Sequence, residues 1–145
     1  MKVLLNEACQ SLKKLFIIFL FGITFFLAGG SKWLDGKAPD WFVEQFSHTF
    51  LAYFPQNLLY LGLAFVESLV AFFAILSLVS REWIKKDSPY LKLTLLMSLM
   101  VFVALGFGAR LSHKFQDAAF HFMYFSGTLL ALFVVELEER NHKKN

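Results

Sequence analysis

The chain has 145 residues, enough for one domain; 57% are hydrophobic, 17% are charged and nineteen are Phe, a balance that excludes a soluble domain of ordinary composition. A net charge of +3 raises the question of nucleic acid, but the basic residues flank long apolar runs, where they meet lipid headgroups, so no nucleic-acid partner is expected. Cys9 is the only cysteine, which excludes an internal disulfide, a thiolate metal cluster and dithiol chemistry by this chain alone.

Four runs are long and apolar enough to cross a hydrocarbon core of about 30 Å as helices. The first predicted span is 15–33, preceded by Lys13 and Lys14. Lys13-Lys14, a short apolar run and Ala28-Gly29-Gly30 also fit a signal peptide with a cleavage site, but apolar character resumes at Trp33 and Leu34. From Pro39 to Pro55 the chain is aromatic, with Trp41, Phe42, Phe46, Phe50, Tyr53 and Phe54 recurring at intervals of roughly three and four. Two readings stand: a short amphipathic helix in the membrane interface, or a Trp/Phe belt anchoring a loop.

The second predicted span is 58–79, followed by a charged loop ending in the turn signal Ser88-Pro89. The third is 93–109 and the fourth 118–135. The expected fold is therefore all-α, a membrane-embedded four-helix bundle in a single domain covering 1–145. Ten basic residues (Lys2, Lys13, Lys14, Arg81, Lys85, Lys86, Lys92, Arg140, Lys143 and Lys144) fall at one end, against Lys32, Lys37, Arg110 and Lys114 at the other. Positive charge stays on the cytoplasmic side, so both termini are expected there, in a bacterial inner membrane.

Ionisable residues inside spans are costly and face partners or water-filled cavities. Glu67 lies nine residues into the second span, about 13 Å deep at 1.5 Å per residue. It reads as a proton relay or ligand acceptor, or else as a structural ion pair that fixes helix register. In the fourth span Asp117, His121, Tyr124 and Thr128 follow helical spacing, a stripe expected to face the bundle interior. Lys32 closes the first span and Arg110 the third, at the same end as His121. These residues define an expected polar pocket of Lys32, Glu67, Arg110, His121 and Tyr124; the alternative for Lys32 and Arg110 is snorkelling to headgroups. Small residues at Ala28-Gly29-Gly30, Gly106, Gly108 and Ser126-Gly127 suit close helix packing. No metal site is expected, because His48, His113 and His121 match no compact ligand spacing.

The chain resembles the DoxX-like family of small four-helix membrane proteins. Gly29-Gly30-Ser31-Lys32-Trp33-Leu34 looks like that family's G-x-x-K-[LW] ending of the first helix. Gly62 to Glu67 is similar to its G-x-x-x-x-E, and Leu78-Val79-Ser80-Arg81 to its exit from the second helix. The resemblance covers about residues 13–136; Leu69-Val70-Ala71 departs from a Gly-Gly often found after the acidic residue. It implies an accessory subunit of a membrane redox system, near quinones and beside a soluble oxidoreductase or another membrane subunit. On that reading Glu67 and His121 handle protons while Lys32 or Arg110 steadies a developing anion. The sequence has no haem pair, iron–sulfur set or flavin fingerprint, so electrons have to come from a partner. The alternatives are a non-enzymatic assembly or stability factor and a small-solute or proton carrier. No inverted repeat or broken helix favours the carrier.

Overall fold

The computed structural model describes the backbone of residues 2–144 and the side chains of residues 8–141. Lys2, Lys143 and Lys144, used above for orientation, lie outside the described side chains, and Met1 and Asn145 outside the described backbone. Five helices follow one another: α1 (Lys2–Asp35), α2 (Asp40–Phe46), α3 (Gln56–Val79), α4 (Pro89–Leu111) and α5 (Phe115–Lys144), with one turn of 3-10 helix at Phe50–Tyr53. Four of them are long and apolar enough to cross a membrane, and the chain is an integral membrane protein built as a helical bundle.

The helices are longer than the apolar runs. A hydropathy run marks only the part that must be lipid-soluble, whereas the backbone ladder continues until a residue or turn stops it. At the ends of α3 and α4 the stop is the same. The Glu82 N–H reaches back to the Ser77 carbonyl (3.0 Å) and the Lys114 N–H to the Ala109 carbonyl (2.9 Å). Arg81 (φ 54°) and His113 (φ 58°) occupy the left-handed position between.

The bundle is assembled in sequence: α1 packs along α3, α3 along α4 and α4 along α5, while α1 and α5 barely meet. Ile18 and Phe25 of α1, Val70 of α3, Leu95 and Val101 of α4 and Val135 of α5 are buried between them. Outward-facing Phe16, Leu20, Phe26, Phe72, Met100, Phe122 and Phe133 form the apolar surface that lipid covers. Gly29 marks the closest approach of α1 and α3, where a Cβ would stand 2.9 Å from Ser68 Oγ and 3.2 Å from the Ala64 carbonyl. Ala28-Gly29-Gly30 thus lies inside a continuous helix that is packed against α3.

The aromatic stretch resolves into both predicted parts. α2 is helical and buries Phe42 and Phe46 against Tyr60, whereas Trp41, Phe50, Tyr53 and Phe54 remain exposed. The stripe is therefore split: Phe42 and Phe46 cap the bundle, Trp41 leans edge-on against Phe42 and Tyr60 with its other side exposed, and Phe50, Tyr53 and Phe54 are exposed at interface level. The segment is pinned by the Ala38 N–H donating to Asn57 Oδ1 (2.8 Å) and by Lys114 Nζ donating to Gln45 Oε1 (2.9 Å). We call this the capped end and the opposite one, which holds both termini and the α3–α4 loop, the terminal end.

Candidate functional site

Side chains on a helix lean toward its N-terminus. For Lys32, near the end of α1, that direction leads into the bundle. Its ammonium turns back to the Ala28 carbonyl (3.2 Å) and donates to both oxygens of Glu67, at 2.8 and 3.0 Å. The Lys32 side chain is 16% exposed and that of Glu67 only 3%, so the pair is buried and Lys32 does not snorkel outward. One turn nearer the surface, the Tyr60 hydroxyl donates to Asp35 Oδ2 (2.5 Å). On the neighbouring face, Trp33 Nε1 donates to Ser68 Oγ (2.9 Å).

Beneath α2 is a cavity of about 420 Å³. Trp41, Phe42 and Phe46 roof it, α3 and α4 supply apolar walls, and Lys32, Tyr60, Asp117 and His121 bring polar groups to it. Glu67 does not line the cavity; it stands behind Lys32 and holds that ammonium in place. His121 belongs to α5, where Gly106 of α4 allows a close approach: a Cβ there would be 3.4 Å from His121 Cβ. Its Nδ1 is buried and has no hydrogen-bond partner among the described residues. A buried ring nitrogen without a partner is costly and asks for a ligand or water.

The five expected pocket residues do not all converge. Lys32 and Glu67 touch, and His121 shares the cavity with Lys32. Arg110 stays outside that cavity, its guanidinium 4.5 Å from the Phe115 ring centre at the start of α5, and shares with His121 a separate, mostly apolar pocket between α4 and α5. Tyr124 meets the His121 ring edge-on, with centroids 6.2 Å apart, but lines a separate apolar groove of about 560 Å³ between α1 and α5. The stripe in α5 is accordingly uneven. Thr128 is buried and His121 half-buried, but Asp117 and Tyr124 are exposed, since α5 is covered by α4 alone and not by α1 as well.

Three contributors escaped the sequence reading. Tyr60 and Asp35 sit where helix ends carry ordinary-looking polar residues, and Gln45 lies off the aromatic stripe. The one available signal was Gly108, whose missing side chain makes room for the Phe46 ring, 3.3 Å from where a Cβ would be. Comparison with family models, with curated proteins and with solved structures gave no match.

Proposed function

We propose that this membrane protein binds a quinone or a similar carbonyl-bearing, lipid-soluble ligand in the cavity under α2, as an accessory subunit of a redox system. The observation that carries the reading is the Lys32 ammonium, anchored by buried Glu67 and presented to an aromatic-roofed cavity of about 420 Å³. That volume lies within the usual range for small-molecule sites, which are mostly apolar with a few placed polar groups. A quinone carbonyl would take the place of the Ala28 carbonyl, the longest of the three bonds that Lys32 donates, and the His121 ring would exchange a proton with the ligand's second oxygen. A quinone becomes a quinol by taking up two electrons and two protons; here the electrons come from a partner oxidoreductase. The DoxX-like resemblance supports the same role, in a bacterial inner membrane with the capped end outward and both termini cytoplasmic.

Trp41 in the cavity roof supplies the test. With the protein in lipid nanodiscs, a soluble quinone analogue should quench tryptophan fluorescence saturably. The double variant Lys32→Met/Glu67→Leu, which exchanges the pair for apolar residues of similar size, should bind at least about tenfold more weakly. Unchanged affinity in the folded double variant removes the proposal.

A second reading, a non-enzymatic assembly or stability factor, draws on the terminal end. There Glu82, Glu138 and Glu139 are buried in purely structural contacts. If the Lys32–Glu67 pair belongs to the same kind of glue, Glu67→Leu will change thermal stability and leave function intact.

A further inference from the structure

At the terminal end a second cavity, of about 340 Å³, opens between α1 and the α3–α4 loop. Lys14, Lys85 and Lys86 line it, with Ser11, Gln10 and Trp83, and among the described residues no carboxylate does so. Lys14 is the unusual member. It is 4% exposed, and its ammonium donates to the Lys85 carbonyl (2.9 Å) and the Ser88 hydroxyl (2.7 Å), both neutral acceptors. The neighbouring buried carboxylates are bonded elsewhere, except Glu138 Oε2, which has no partner among the described residues. Glu138 takes Lys13, Glu139 takes Lys92 and the Ser88 N–H, and Glu82 takes the Tyr90 and Leu91 N–H groups. A buried ammonium is normally matched by a contact anion. Here none of the described residues provides one within ion-pair distance.

The level of the cavity points to its occupant. It lies where α1 passes from Lys13-Lys14 into its apolar run at Leu15, and its rim carries Trp83 beside the exposed Ile84. That is the depth of lipid headgroups, where Trp and Lys gather. We propose that this cavity is a binding site for a phosphate-bearing anion, with Lys85 and Lys86 closing on the phosphate oxygens over Lys14. The headgroup of an anionic phospholipid is one source of that chemistry and free phosphate the other. The proposal does not depend on the quinone reading or on membrane orientation.

Native mass spectrometry of the full-length protein released from micelles tests it, with phosphatidylglycerol, phosphatidylcholine or inorganic phosphate added as probe. Phosphatidylglycerol should be retained one per chain in preference to phosphatidylcholine. The exposed pair Lys85→Ala/Lys86→Ala, which keeps the Lys85 carbonyl for Lys14, should lower that retention roughly thirtyfold, at about a factor of five per lysine. The control Arg81→Ala/Arg140→Ala removes equal charge from the same end, outside the cavity. Retention that millimolar phosphate does not displace identifies the lipid headgroup; displacement identifies soluble phosphate, and either upholds the site. Equal loss in the control, or no preference for either phosphate probe over phosphatidylcholine, overturns it.

Discussion

At the terminal end, five of the six oxygens of Glu82, Glu138 and Glu139 accept hydrogen bonds from the protein, and only Glu138 Oε2 has no partner among the described residues. Glu82 alone receives the Ser77 hydroxyl and the first two free N–H groups of α4, which makes it a cap supplied from outside the helix it caps. At the capped end the Glu67 carboxylate is equally well matched, yet its partner Lys32 borders a cavity and His121 Nδ1 has no partner among the described residues. The lesson is what each set of groups borders. Polar groups turned on one another hold helices together, whereas polar groups that also line a space of ligand size mark a place for chemistry.

The comparison breaks hardest at Glu82. Replacing it in Glu82→Ala strands a hydroxyl and two helix N–H groups, and stability should fall by about 4 kcal/mol, with ligand affinity unchanged in whatever remains folded. Thermal unfolding in detergent measures the first part; a loss below about 1 kcal/mol would show that water replaces the carboxylate. Next comes Lys32→Met, which leaves Glu67 buried without its partner and should cost about 3 kcal/mol. Most of that should return in Lys32→Met/Glu67→Leu, so a double variant less stable than the single one contradicts the buried pair. His121→Phe should move stability by less than about 1 kcal/mol, because the ring lies half-buried with an unbonded nitrogen, while weakening the quinone analogue about tenfold. Equal affinity in a fluorescence titration would place His121 outside the site. The smallest effect expected is a gain. His113→Gly and Arg81→Gly each remove a side chain from a left-handed position and should add about 0.5–1 kcal/mol, one at each end, as read from unfolding midpoints.

Much of the capped end was legible in the sequence for a simple reason: a charge inside an apolar run has no ordinary explanation. Glu67 and Lys32 stood out on that ground, and helix geometry then brings them together. Arg110 had the same appearance, but its final direction depends on Phe115, five residues away across a turn, which no periodicity encodes. Helical spacing puts Tyr124 in the interior only if its stripe is covered on both sides, and the open seam between α1 and α5 removes one cover. The terminal end was the least legible. Glu82, Glu138 and Glu139 sit in charged stretches that look like solvated ends, and only the meeting of four helices turns them into buried partners.

The bond between Lys13 and Glu138 joins residues 125 positions apart. Glu139 likewise reaches back to Ser88 and Lys92 from the last turns of α5. During synthesis α1 and α3 therefore leave the ribosome before the groups that secure the terminal end have been made. For that interval Lys13, Lys92 and the Ser88 N–H lack their final acceptors, and the seam beside α1 stands open along its whole length. Arrival of the last helix fastens that seam at one end and leaves its middle as a groove. The newest part of the chain thus secures the oldest, and a chain cut short before Glu138 would retain its apolar spans but lose the contact that fastens α5 to α1.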